Sequence, residues 1–175
     1  MIRQARQSDL QSILTIYNHA ILNTTAVYTY EAVTIEEREV WFHEKLEQDE
    51  PIFVYLKGDK VVGFATYGSF RNWPAYQYTV EHSIYVDPET RKEGVASQLL
   101  VKLIEEIKNR NYKTIVAGID ASNNASIKLH EKYGFEFCGN IKSVGYKFDR
   151  WLDLAFYQLI LKWLCLKPND GILSK

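Results

Sequence analysis

The chain has few cysteines: two in 175 residues, Cys138 and Cys165. They show no CxxC spacing, and no HExxH motif is present. A disulfide framework and a zinc site of familiar pattern are therefore excluded, and no metal is expected. Four prolines and nine glycines form no linker-like cluster, and no repeat or low-complexity segment divides the chain. No apolar run reaches the ~18 residues that a membrane span needs. The start, MIRQARQSDL, carries charges where a secretory signal would be apolar, so the expected location is cytoplasmic. Neither sign of charge is in excess. The net charge is −1, which gives no reason to expect a nucleic acid or an anionic membrane as partner. No GKS or GKT follows a glycine-rich loop, and no GxGxxG occurs, so the two common nucleotide fingerprints are also missing.

Aromatic residues are plentiful, with twelve Tyr and four Trp. They suit a packed core, and they also line pockets for small ligands. The length predicts one domain, over residues 1–165, followed by a frayed tail at 166–175. A short strand at MIRQA precedes a helix that starts at Ser8-Asp9 and carries Leu10, Ile13, Leu14 and Tyr17 on one face. Residues 21–33 show no usable period. Thr34 with Glu37 three positions on reads as a capping box, for a helix through about Leu46. Two β-rich runs around Gly58-Asp59 read as a hairpin. The aromatic segment 70–76, FRNWPAY, is a loop, and QYTVEHSIYV is a strand. A helix over 95–110, a buried strand KTIVAGI, a helix from Asn123 to near Gly134 and two final strands complete the order βααβββαβαββ. The tight hairpins require antiparallel pairing, so the fold class is α/β mixed, with a twisted, mostly antiparallel sheet and helices on both faces.

The stretch VDPETRKEGVASQLL, residues 86–100, passes from strand to helix through a charged loop. A helix N-terminus presents unpaired N–H groups and a partial positive charge, which suits an anion. Gly94 permits positive φ and close backbone approach. Ala96 keeps the first turn free of bulk, and Arg91 and Lys92 add cations. The same pattern also describes an ordinary charged loop before a helix.

The segments together are more specific. RKEGVA is an R-x-x-G-x-A pattern that follows VEHSIYVDP, and IDASNNASIKLHEKYGF lies downstream. These resemble the GCN5-related N-acetyltransferase (GNAT) family. With IYNHAI, AYQYTVEHSIYV and GYKFDRWLDLAFYQL they resemble its phosphinothricin acetyltransferase-like branch, over roughly residues 2–162. The resemblance implies acetyl-CoA as co-substrate and a seven-stranded sheet. It also implies a V-shaped opening between two parallel strands, here 78–87 and 113–119, and commonly a homodimer. It places the CoA pyrophosphate on Arg91, Lys92, Glu93, Gly94, Val95, Ala96 and Ser97. The pantetheine arm would lie along Ile84 and Val86, with Asn123 and Ser126 beside it. Lys92-Glu93 departs from the basic or small residues usual there, and Glu93 would repel a phosphate unless it turns outward.

For the chemistry, Glu81 is the expected general base, since burial in an apolar strand raises a carboxyl pKa. The same pattern also fits a Glu paired with a cation across the sheet. Strand alternation puts Glu81 with Ser83 and Tyr85, although a bulge is usual in that family strand. His130 stands where the branch has a His and many relatives a Tyr, a position tied to amine or thiolate proton transfer; a surface His on an amphipathic helix is the plain alternative. Asn123 also makes an ordinary N-cap. Arg71, Trp73, Tyr76 and Tyr78 are the expected acceptor site. Arg71 is the cation for a carboxylate, and Trp73 stands where the branch carries an Arg. The expected reaction acetylates the primary amine of a small amino-acid-like acceptor such as phosphinothricin or methionine sulfoximine or sulfone. The competing readings are acetylation of a peptide or protein N-terminus, and a CoA-binding sensor without catalysis. The bulky 70–76 loop suggests a closed pocket, which disfavours the first. The presence of both Glu81 and His130 disfavours the second.

Overall fold

The computed structural model describes residues 1–90 and 92–162. Arg91, Cys165 and the expected tail at 166–175 lie outside the described residues. The element order is the one that periodicity predicts: β1 (Ile2–Gln4), α1 (Leu10–Asn23), α2 (Ile35–Glu47), β2 (Ile52–Lys57), β3 (Lys60–Ser69), β4 (Thr79–Val86), α3 (Val95–Asn109), β5 (Thr114–Asp120), α4 (Asn124–Lys132), β6 (Glu136–Lys147) and β7 (Arg150–Ile160). The seven strands form one sheet in the order β1-β2-β3-β4-β5-β7-β6. Only β4 and β5 pair in parallel; every other neighbouring pair is antiparallel.

The local signals explain most boundaries. Thr34 and Glu37 form the reciprocal capping box at the start of α2: the Thr34 hydroxyl accepts from the Glu37 N–H, and the Glu37 carboxylate accepts from the Thr34 N–H. The β6–β7 hairpin turns at Phe148-Asp149, which have φ of 52° and 54°. Such a two-residue loop matches the twist of the flanking strands, here without a glycine.

Two apolar clusters fill the two faces of the sheet. On one side Leu99, Leu103 and Ile107 of α3 are fully buried against Ala65, Val80 and Ile115. On the other, Leu10, Ile13 and Phe42 of α1 and α2 pack on Val54 and Phe64. Each such side chain contributes about 1.5–3 kcal/mol on full burial. Along β4, His82, Ile84 and Val86 belong to the α3 side, with Ile84 and Val86 packed on that cluster. Glu81, Ser83 and Tyr85 alternate to the α1–α2 side. The bulge usual in the family strand does not occur between β3 and β4. Their register runs without a break from Gly63↔Val86 to Ser69↔Val80, so simple alternation is enough to place Glu81.

Of residues 21–33, which carry no periodic signal, the first three continue α1, and the rest are held by distant groups. Asn18 exchanges two hydrogen bonds with the Val33 backbone, each 2.9 Å. The Thr25 hydroxyl donates to Asp120, and the Tyr30 hydroxyl donates to the Tyr146 carbonyl. Buried Lys147 donates to the carbonyls of Ile21, Thr24 and Val27 at 2.5, 2.9 and 2.7 Å. The segment thus lies against the β6–β7 hairpin and roofs the α1–α2 side of the sheet. Among the described residues no helix is long and apolar enough to cross a membrane.

Candidate active site

β4 and β5 pair only at Thr79↔Thr114, Val80↔Ile115 and Glu81↔Val116. Beyond that point β4 continues to Val86 and β5 to Asp120, so their facing edges splay apart. Strand edges within a sheet carry backbone N–H and C=O groups that need partners, and a ligand rich in amides fits between them. This is the opening expected between residues 78–87 and 113–119.

Glu81 sits where the pairing ends. Its carboxylate has no hydrogen-bond partner among the described residues. Burial pushes its pKa up, and the nearby charge of Arg71 partly opposes that shift. The side chain lies across the opening over exposed Gly118 of β5, where an added Cβ would stand 3.0 Å from the Glu81 Oε1. Any side chain at 118 would therefore displace the carboxylate. Glycine inside a strand signals close approach, and this signal in KTIVAGI went unused in the sequence.

Behind the sheet, His82 and His130 meet with their Nε2 atoms 3.1 Å apart. Both are buried. The Ser126 carbonyl lies 2.7 Å from the His130 Nδ1. A carbonyl only accepts, so His130 carries its proton on Nδ1 and receives one from the His82 Nε2–H. That leaves the His82 Nδ1 as a buried acceptor without a partner. Burial, and then the neighbouring ring, holds the His82 pKa down at about 3. Burial likewise lowers that of His130, against the raising effect of the Ser126 carbonyl. Both rings are therefore neutral near pH 7. His130 is thus a buried residue rather than a surface one, with partners for both ring nitrogens in this arrangement.

The strand-to-helix loop has the backbone of an anion cradle. Gly94, the N-cap of α3, has φ 79°, and Lys92 has φ 69°. Positive φ at a lysine is uncommon, and such alternations point successive N–H groups inward. No N-cap side chain accepts from the first turn of α3, which leaves the first N–H groups of Val95, Ala96 and Ser97 for a ligand. Val95 is buried, and Ala96 is half-buried. The Glu93 carboxylate does turn outward, to the Lys57 ammonium at 2.9 and 3.0 Å. The Ser97 hydroxyl is bonded to the Tyr133 hydroxyl, tying α3 to the end of α4. Asn123 caps α4 by accepting from the Ser126 N–H at 3.1 Å.

The acceptor loop stands open. Residues 71–78 are all exposed, Trp73 by 74%. The Arg71 guanidinium lies over the Phe70 ring at 4.4 Å and donates to the Phe70 carbonyl. Tyr76 and Tyr78 are exposed as well, and the Tyr76 ring meets the Phe70 ring edge-on at 5.7 Å. Among the described residues no group of three His, Cys, Asp or Glu could hold a metal.

Residues 2–156 match the family model described as the acetyltransferase (GNAT) domain. The chain belongs to that family. It is 44% identical over 161 residues to the L-methionine sulfoximine/L-methionine sulfone acetyltransferase of Pseudomonas aeruginosa, covering 91% of this chain and 94% of that one. The crystal structure of an N-acetyltransferase from Staphylococcus aureus Mu50 superposes with a TM-score of 0.92 at 63% identity, covering 93% of this chain and 98% of that one. A phosphinothricin acetyltransferase from Sinorhizobium meliloti, in complex with acetyl-CoA, superposes with a TM-score of 0.93 at 35% identity, covering 99% and 95% of the two chains. The chain is an acetyl-CoA-dependent N-acetyltransferase, and the splayed strands and the α3 N-terminus fit that co-substrate.

Proposed function

We propose that this acetyltransferase acetylates the α-amine of a free amino acid with a polar side chain, of the methionine sulfoximine, methionine sulfone or phosphinothricin kind. The observation that carries this reading is the placement of Glu81: a half-buried carboxylate without a hydrogen-bond partner among the described residues, at the point where β4 and β5 part, with the Arg71 charge beside it. The amine nitrogen forms a bond to the thioester carbonyl carbon, and the carbon–sulfur bond breaks. The proton leaving the amine passes to Glu81, directly or through water, and the CoA thiolate takes up a proton from solvent. The loop at 92–97, together with Arg91, holds the pyrophosphate. Ile84, Val86, Asn123 and Ser126 border the pantetheine, and His130 fixes the wall behind it. Arg71 meets the acceptor carboxylate, with Trp73, Tyr76 and Tyr78 around it. One cytoplasmic domain reaching residue 165 is part of the same reading, in line with the single sheet that continues to Ile160.

Thiol release from acetyl-CoA with a panel of amines tests it. Free amino acids should react faster than their decarboxylated amines and faster than peptides. A preference for peptides would favour the N-terminal acetylation reading, and no turnover with any amine would favour a sensor.

Gly94→Val tests the cradle. Valine at positive φ is strained and forces the loop out of shape. The KM for acetyl-CoA should rise by roughly 10-fold or more, with the acceptor KM little changed; an unaltered acetyl-CoA KM would remove the loop from the cofactor site. The edge strand β6 exposes Phe137, Ile141, Val144 and Tyr146, next to exposed Trp151 of β7. Unpaired, apolar edges of this kind are normally covered, which supports a homodimer. Light scattering should give twice the chain mass, and a monomer at micromolar concentration would contradict it.

A further inference from the structure

A cavity of about 240 Å³ lies between α1, α2 and the sheet, bordered by Tyr17, Arg38, Trp41, Thr66, Ser83 and Tyr85. It has room for more than a single water, which occupies about 30 Å³. Arg38 is 5% exposed, has no ion-pair partner among the described residues, and its Nε has no hydrogen-bond partner. Its guanidinium carbon stands 4.0 Å from the Tyr17 ring centre and 4.4 Å from that of Trp41. Stacking on aromatic rings repays part of the cost of burying a cation. It leaves the Nε donor unused, and an unpartnered buried guanidinium N–H is costly. Among the described residues the one carboxylate on the cavity rim is exposed Glu37, which is engaged in capping α2.

The cavity shares a sheet face with the base. Ser83 and Tyr85 alternate with Glu81 onto the α1–α2 side, and the Glu81 charge is felt at the Tyr85 phenol. At ~3.3 Å per residue, Ser83 is about 7 Å along the strand from Glu81. That exceeds the separation of the amine and carboxylate of one amino acid. It approximates the reach from an α-amine to the tip of a side chain four or five atoms long. Arg71, outside the mouth, remains for the α-carboxylate.

We infer that this cavity receives the acceptor's side chain, and that Arg38 hydrogen-bonds an oxygen-bearing group at its tip: a sulfone, sulfoximine, phosphinate or carboxylate oxygen. The inference rests on the reading of the acceptor as a free amino acid. It assigns selectivity within that class to a helix residue outside the 70–78 loop.

Methionine and methionine sulfone differ only in the two sulfone oxygens, so they isolate the contact. The full chain should prefer the sulfone and phosphinothricin to methionine in kcat/KM. Arg38→Met should lower kcat/KM for both oxygenated acceptors by about 10- to 100-fold, the range of a charge-assisted hydrogen bond. It should change methionine by only a few-fold and leave the acetyl-CoA KM alone. Arg38→Lys should recover part of the loss. Equal penalties for methionine and its sulfone in a folded Arg38→Met protein, or none for either, would overturn the assignment while leaving the amino-acid reading intact. If Arg38→Met does not fold, Ser83→Leu, which fills the cavity, decides instead. It should raise the KM of the sulfone and spare that of alanine; a uniform effect would overturn the assignment. A wild-type chain that acetylates other amines but no amino acid would overturn both readings together.

Discussion

Replacing Glu81 by Gln should lower kcat/KM for the acceptor by about 10²- to 10⁴-fold, the usual loss when a general base is removed. The acetyl-CoA KM should be nearly unchanged. The pH–rate profile carries the sharper reading. Burial raises the Glu81 pKa, and Arg71 moderates the rise. The base works only when ionised, so the acidic limb of kcat/KM should climb at a pH above the ordinary carboxylate range. In the Gln variant that limb should vanish. Stability gives an independent check. A carboxyl whose folded pKa is raised stabilises the fold while protonated, and that contribution is lost as pH rises through the folded pKa. At neutral pH the ionised Glu81 is therefore a cost to the native state, and Glu81→Gln should melt no lower than wild type. A variant that loses both activity and melting temperature at pH 7 would show instead that Glu81 holds the sheet together.

Much of this was legible in the sequence because it rests on local rules. The capping box at Thr34 and Glu37, the hairpin at Gly58-Asp59 and the glycine before α3 each act within a few residues, so pattern alone places them. The order of elements follows; the parallel pair that splays is implied by the family resemblance alone. Strand alternation also gives the correct face for Glu81. The rest depends on contacts across long separations. His82 and His130 are 48 residues apart, and no spacing rule joins them, so their contact is not legible in the sequence. Arg38 lies in the charged run IEEREVWF, which has the composition of a solvated face; only Tyr17, brought over from α1, turns its stacking on Trp41 into burial. The FRNWPAY loop reads as a wall because aromatic residues usually pack, yet among the described residues no element covers Trp73. Residues 24–33 lack any period because their order comes from hydrogen bonds to Asn18, Asp120, Tyr146 and Lys147.

Lys147 shows how far such a contact reaches. It is a lysine on an edge strand, which sequence reasoning would leave in solvent, yet it is 4% exposed with its ammonium against three carbonyls. Those of Ile21 and Thr24 lie at the C-terminal end of α1, where the helix dipole favours a cation. That of Val27 belongs to the segment that leads on to Tyr30 and Val33. One side chain thus ends a helix, anchors the following loop and ties both to the β6–β7 hairpin. Lys147→Met keeps most of the volume and removes the charge, leaving three buried acceptors short of a donor. The loss should be about 3 kcal/mol, the lower end of the range for breaking a buried charged contact. For a chain of this size that lowers Tm by roughly 6–12 °C. The consequence for function should be selective. Val33 borders the cavity beside Arg38, whereas the α3 N-terminus lies on the far side of the sheet. The acceptor KM should therefore rise in the folded variant while the acetyl-CoA KM holds. A Tm within 2 °C of wild type would show that water replaces the ammonium at little cost, and that the roof over the acceptor side stands without it.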